Sequence, residues 1–181
     1  MEYRVICIGG PTGAGKDTIA SMFLEQCPGF IRIPRSTTRQ PRHNEIPGFH
    51  YFFLSDHTFM IRERMGTLCG IDHFCGYRYG IDHHSIVDVL TQHKNVLGIF
   101  GIKGLELRFL LPEPMISIYI TAPLQTLYEH LTYRGDSIEE ISIRMVAAEK
   151  QIADELHLFD HVIYNVGTVA EAVRSFVKIV S

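Results

Sequence analysis

Near the amino terminus, Gly10-Pro11-Thr12-Gly13-Ala14-Gly15-Lys16 spaces three glycines ahead of a lysine. Glycines at such positions let the backbone curl so that successive N–H groups point inward, forming a concave nest for an anion. A helix starting at the lysine adds partial positive charge, and the lysine adds a mobile cation. The chemistry is phosphate binding, if a strand precedes the loop and a helix follows it. Both are expected. Residues 3–9, Tyr3 to Gly9, are rich in Val and Ile and end in glycine, as a buried strand does. Ile19, Ala20, Phe23, Leu24 and Cys27 recur at helical spacing, and Pro28-Gly29 ends the helix. The position after the lysine, which in such loops commonly holds a hydroxyl for Mg²⁺, is Asp17, followed by Thr18. A carboxylate also ligates Mg²⁺.

A second constellation runs from Thr37 to Phe53. Arg39 and Arg42 suit a bidentate clamp on a phosphate, Tyr51 adds a hydroxyl donor, and Gly48 permits the turn that returns the chain to Tyr51. For the arginines alone, a solvated basic loop is an equal reading.

The elements that position these residues follow from periodicity. A helix is expected over 56–65, irregular or strand-like chain over 67–82, a helix over 86–93, and buried strands over 95–102 and 115–121. A helix carrying Leu124, Leu127 and Leu131 follows, and Ile138, Ile141, Met145, Ala148, Ile152 and Leu156 mark one stripe of the next. A strand at 162–164 and a helix over 168–180 close the chain. Strands alternating with helices imply an α/β fold, a parallel sheet flanked by helices in three layers, with right-handed crossovers. The 181 residues suit one domain, with a core of 1–33 and 87–181 and an insertion at 34–86.

Composition narrows the class. Apolar residues make up 46% and charged residues 20%, and the net charge is −3 with neutral histidines. That speaks against a general nucleic-acid or anionic-membrane binder. No apolar run is long enough to span a bilayer, and the amino terminus does not look like a signal peptide. Cys7, Cys27, Cys69 and Cys75 are read as reduced thiols of a cytoplasmic protein. Cys69, His73, Cys75, His83 and His84 form a conceivable zinc cluster, but their spacing matches no standard pattern.

The stretch from Thr37 resembles the signature of the guanylate kinase family, T-[ST]-R-x-x-[KR]-x-x-[DE]-x-x-G-x-x-Y-x-[FY], at every fixed position. The order of phosphate loop, signature and later elements is also similar, over nearly the whole chain. The resemblance implies a P-loop NTPase fold and ATP-dependent transfer of a phosphoryl group to a small phosphorylated acceptor, most simply a nucleoside monophosphate. It implies that Gly10 to Thr18 hold ATP with Mg²⁺, that Arg39, Arg42, Tyr51 and Tyr79 hold the acceptor phosphate, and that Asn165 lies near the adenine. It also implies a lid at about 132–146, whose Arg134 and Arg144 close over the transferring group beside Lys16. The Gly-Lys-Asp-Thr version of the loop is similar to that of some phage deoxynucleotide kinases and of ribose bisphosphate kinases.

The departures fall where the family reads guanine. Arg35 stands where a serine is usual, Gly70 aligns with a base-reading glutamate, and Ile81 follows Tyr79-Gly80 where a hydroxyl is usual. Gly98 and Phe100 align with strand acids near acceptor and metal. Losing a base-reading carboxylate and hydroxyl is expected to abolish preference for guanine. Arg35 suits a further phosphate or a carbonyl, and Asp72, His73 and His50 are candidate replacement readers. Asp17 is expected to compensate for the missing strand acids as the metal carboxylate. Two other functions fit the same residues: a kinase for a phosphorylated ribose, and a non-catalytic module that recognises proteins through the acceptor cleft. The intact phosphate loop speaks against the module. Oligomeric state is unknown from sequence.

Overall fold

The computed structural model describes residues 4–43, 45–92, 94–111 and 114–181. Tyr3 at the expected start of the first strand, Asn44 within the signature stretch and His93 at the expected end of a helix lie outside the described residues.

The first strand, β1 (Val5–Gly9), is buried along its whole length, as a strand covered on both faces must be. It feeds the glycine-rich loop and then α1 (Lys16–Gln26), which buries Ile19, Ala20 and Phe23. Two short strands follow, β2 (Phe30–Arg32) and β3 (Arg35–Thr37), then β4 (Tyr51–Phe53) and α2 (Asp56–Arg64), whose amino end is capped by Ser55. A hairpin of β5 (Leu68–Phe74) and β6 (Tyr77–Asp82) leads into α3 (His83–Thr91). Thereafter come β7 (Asn95–Gly98), a 3₁₀ turn over Ile102–Glu106, the short α4 (Leu107–Leu110) and β8 (Met115–Thr121). The chain closes with α5 (Leu124–Tyr133), α6 (Ile138–Glu155), β9 (His161–Tyr164) and α7 (Val169–Val180).

Two sheets result. The larger has the order β2-β7-β1-β8-β9 with every pair parallel, so β1 is central and its carboxyl end opens where the strand order reverses. Ligands of open α/β sheets bind at such a point. Helices lie on both sides of this sheet, giving the α/β class with a parallel sheet that the alternation predicts. The smaller sheet has the order β4-β3-β6-β5, with β3 and β4 parallel and the other pairs antiparallel. The expected strand over 95–102 stops at Gly98, because Gly101 adopts φ 67° and turns the chain into the 3₁₀ segment. The helix expected over 86–93 begins earlier, at His83, because Asp82 caps it by accepting from the N–H groups of His84 and Ser85. Residues 67–82, read only as irregular or strand-like, form a regular hairpin apart from one bulge between Cys69 and Asp72.

The core on the α1 and α7 side centres on Phe23. It is fully buried, with its ring centroid 4.8 Å from Phe176 and 5.3 Å from Phe30. That cluster ties α1, and therefore the phosphate loop, to the last helix and to the edge strand β2. Phe23→Ala removes the shared ring, and such truncations cost about 3–5 kcal/mol. Urea and thermal unfolding should show that loss, with the melting temperature falling by roughly 6–20 °C for a chain of this size.

Candidate active site

The loop geometry is set by backbone that only glycine can adopt. Gly10 has φ 131°, and a Cβ on it would lie 2.0 Å from the Ile120 carbonyl oxygen of β8. Gly15, at φ 83°, caps α1, and a Cβ there would lie 2.7 Å from the Asn165 side-chain nitrogen. The loop is thus wedged between β8 and the segment after β9. Asn165 is buried, and its Nδ2 donates to the Ala14 carbonyl at 3.1 Å. Its amide braces the loop, a use the sequence did not suggest. His130 of α5 braces it from the other side, with Nδ1 2.7 Å from the Gly13 carbonyl.

Lys16 turns inward and donates to the Pro11 carbonyl at 2.6 Å. Burial, together with the charges of Arg134 and Arg42, lowers its ammonium pKa to about 8, with Asp17 and Glu155 opposing. Asp17 is half exposed and pairs with Arg32 at 2.5 Å, so the carboxylate expected to bind metal already has a cationic neighbour. Neither motif includes Arg32, which comes from β2.

Across the cleft, the signature residues gather on the smaller sheet. Arg39 donates from Nη2 to Glu45 at 2.7 Å and from Nη1 to the Gln40 carbonyl at 2.7 Å, with its guanidinium 5.3 Å from the Tyr51 ring centroid. The Arg42 backbone N–H donates to the same carboxylate at 2.8 Å, and its Nη1 lies 3.5 Å from it. Glu45 therefore holds both clamp arginines at once. Its carboxyl is penalised by burial, but the Arg39 and Arg42 interactions prevail and hold it below the ordinary carboxylate value. Burial pushes the Tyr51 hydroxyl up to about 12, so it stays a donor. Tyr51 and Tyr79 meet edge to face at 6.1 Å, and Arg35 lies over the Tyr79 ring at 5.1 Å.

The third set comes from α5, α6 and the turn between them. Arg134 donates through Nε to Asp136 at 2.8 Å, and Arg144 Nε lies 3.2 Å from the same side chain. Ser137 caps α6 in a reciprocal capping box with Glu140, which fixes the turn that presents Asp136. Asp136 and Glu45 play parallel parts, each one carboxylate joining two arginines. Glu45 was visible only as a fixed position of the signature. For Asp136 the adjoining cap Ser137 was the available signal.

All three sets line one cleft of about 460 Å³. Gly10, Thr12, Gly13, Gly15, Lys16, Asp17, Thr18, Arg35, Arg39, Arg42, Tyr51, Tyr79, Arg134, Arg144 and Asn165 are in its wall. Pro11 and Ala14 contribute backbone carbonyls, bonded to Lys16 and Asn165. Asp72, His130, Gln151 and Glu155 also line it. His50 is instead committed to the loop turn, where its Nδ1 accepts from the Ile46 N–H at 2.9 Å. Gly98 is covered by the Phe100 ring, whose atoms would lie 1.9 Å from a Cβ there, so this strand end offers no carboxylate. Among the described residues, no group of three or more His, Cys, Asp or Glu side chains converges as a ready metal site, and the four cysteines are free thiols. One exposed carboxylate beside a phosphate loop still fits Mg²⁺, which takes few protein ligands and completes its shell with phosphate and water oxygens.

The Glu45 bridge carries a pH signature. Because its folded pKa is depressed, its stabilisation is fully present above the ordinary carboxylate value near 4.5 and is lost as pH falls through the lower folded value. Glu45→Gln should lower stability at neutral pH, and the unfolding free energy of the variant should fall less steeply below about pH 4.5 than that of the parent. Urea titrations across the acid range check this.

The sequence model of guanylate kinase matches residues 2–180. A guanylate kinase of Thermus thermophilus is 32% identical over 183 residues, spanning 100% of this chain and 82% of that protein. A guanylate kinase of Sphingopyxis alaskensis is 31% identical over 176 residues, spanning 93% and 80%. The crystal structure of guanylate kinase from Anaplasma phagocytophilum superposes with a TM-score of 0.74 at 22% identity, covering 99% of this chain and 86% of that one, which is a likeness of fold. The chain belongs to the guanylate kinase family.

Proposed function

We propose that this protein is an ATP-dependent nucleoside monophosphate kinase that phosphorylates GMP. The observation behind this is the meeting of two cationic ends in one cleft, Lys16 in its glycine loop and Arg39 with Arg42 and Tyr51, with Arg134 and Arg144 of the lid stretch in the same wall. That arrangement suits transfer between two phosphates. A protein-binding module has no need of an intact phosphate loop.

The chemistry needs positioning and charge more than proton transfer, since an acceptor phosphate oxygen is already nucleophilic. Loop N–H groups and Lys16 hold the β- and γ-phosphates, Lys16 exchanging its bond to the Pro11 carbonyl for phosphate oxygens. Arg39, Arg42, Tyr51 and Tyr79 hold the acceptor phosphate in line. Arg134 and Arg144 stabilise charge spread over the equatorial oxygens of the transferring group. The stretch at about 132–146 serves as a lid that excludes water, and 34–86 as the acceptor-binding insertion. Asp17, with Thr18 beside it, would hold Mg²⁺, which would supply neutralising positive charge to the triphosphate. Asn165 lies beside the donor nucleotide but acts first through the loop it braces. Among the described residues no helix is long and apolar enough to cross a membrane. With free thiols and a small-molecule acceptor, a cytoplasmic enzyme that needs neither membrane nor nucleic acid is the simplest reading.

Lys16 supplies a test with a sign. Its lowered pKa means that the free protein sheds a proton above about pH 8, whereas bound triphosphate favours the charged ammonium. Between about pH 8 and the ordinary lysine value of 10.5, ATP binding should take up a proton, and affinity should fall as pH rises. Calorimetric titrations in buffers of different ionisation heat measure the uptake. Lys16→Met should abolish it and lower kcat by about a hundred- to a thousandfold. ADP release from ATP that depends on GMP confirms the reaction; ATP hydrolysis unaffected by any monophosphate contradicts it.

A further inference from the structure

Arg35 is the one cleft arginine for which no carboxylate or carbonyl partner is found among the described residues. It is 8% exposed, and its Nε and Nη2 are buried without a hydrogen-bond partner. Arg39 and Arg42 share Glu45, and Arg134 and Arg144 share Asp136. Arg35 instead lies over the face of Tyr79 and makes no ion pair among the described residues. A guanidinium has donors and no acceptor, and it stays charged when buried. Leaving buried donors unmet is costly, so the position calls for a ligand edge made of acceptors.

The place of Arg35 on its strand says where that edge lies. Arg35 covers Tyr79, Tyr79 meets Tyr51, and Tyr51 faces Arg39. Both guanidinia reach both tyrosines, since Arg35 also stands opposite Tyr51 in the β3–β4 register and Tyr79 hydrogen-bonds Arg39. Arg39 marks the phosphate end of the acceptor; Arg35 opens β3 whereas Arg39 follows its end, so Arg35 lies farther along, where a nucleotide carries its base.

The hairpin bulge adds a second group at that end. Cys69 pairs with Ile81, and an unbroken ladder would next set Ile71 against Tyr79. Gly70 instead adopts φ 55°, the register slips by one, and Asp72 stands opposite Tyr79. A one-residue slip exchanges which side chains face each side of a strand. Asp72 lines the cleft, close enough to act on the charge of Arg35, yet makes no ion pair with it. The expectation that the base-reading carboxylate is lost rested on Gly70. The bulge supplies a carboxylate two residues later.

We infer that guanine preference is kept by an exchanged pair of readers, with Arg35 donating to O6 and N7 of the acceptor base and Asp72 accepting from N1–H and the 2-amino group. This rests on the nucleoside monophosphate reading above. The fork of a guanidinium matches the O6 and N7 pair of guanine, whereas adenine sets an amino donor against it. A second phosphate in place of the base satisfies Arg35 but faces Asp72 with like charge. Guanine satisfies both without net charge.

Steady-state kinetics of the unaltered protein with GMP, IMP, 7-deaza-GMP and AMP, and of Arg35→Met with GMP and AMP, test the inference. Removing N7 should lower kcat/KM about ten- to a hundredfold, as should loss of the 2-amino group in IMP; AMP should fall by about a thousandfold or more. Arg35→Met should lose about a hundredfold with GMP and little with AMP, so that their ratio collapses, which general misfolding does not produce. Equal turnover of GMP and 7-deaza-GMP by the parent, or an unchanged GMP-to-AMP ratio in Arg35→Met, overturns it. Preference for another base overturns it while leaving the nucleotide reading intact. Turnover of a ribose bisphosphate and of no nucleotide overturns both.

Discussion

Lys16, Arg35, Arg39, Arg42, Arg134 and Arg144 all border a single cleft, in a chain whose net charge is −3. Like charges gathered in a partly desolvated space repel, and that repulsion is the constraint the surrounding structure has to meet. It is met by sharing. Glu45 joins two arginines, Asp136 joins two more, and Lys16 rests on a backbone carbonyl. These partners keep the cations oriented before any substrate arrives. Each can yield part of its arginine's hydrogen-bonding capacity to a phosphate, because a guanidinium has five donors and its carboxylate takes only one or two.

The sheet makes this arrangement rigid at its centre. β1 is buried on both faces, the loop after it is wedged against β8, and Asn165 and His130 fasten it from either side. The cationic groups most removed from this centre sit on the smaller sheet and on the α5–α6 turn. Charge sharing within each set keeps its arginines paired. Arg35 differs because its neighbour is a ring, which leaves its buried donors unmet.

Much of this was legible in the chain. The phosphate loop is a backbone device, so Gly10, Gly13, Gly15 and Lys16 announce it wherever a strand precedes and a helix follows. The parallel sheet follows from alternating strand and helix periodicity. The signature brought Arg39, Arg42 and Tyr51 together because its spacing encodes a turn. What stayed hidden depends on contacts between distant segments or on local register. Asn165 gives its amide to a loop 151 positions earlier in the chain. Arg32 approaches Asp17 only because β2 lies along the sheet edge. Asp72 reaches the cleft because Gly70 adopts a left-handed backbone, and reading by fixed offset lands on a residue without a side chain. The glycine-rich stretch over 67–82 hid its hairpin, since glycine weakens the strand signal at the very place where a bulge needs it.

Phosphoryl transfer requires that the Lys16 end and the Arg39 end of the cleft act as one site, spaced for the group to pass between them. A ligand joining adenosine and guanosine through five phosphates spans both. Titration calorimetry should give a Kd about a hundredfold or more below that of ATP, with Lys16→Met and Arg39→Met each weakening it strongly. Affinity equal to that of ATP, untouched by Arg39→Met, would show that the two ends do not act on one bound molecule and would contradict the account.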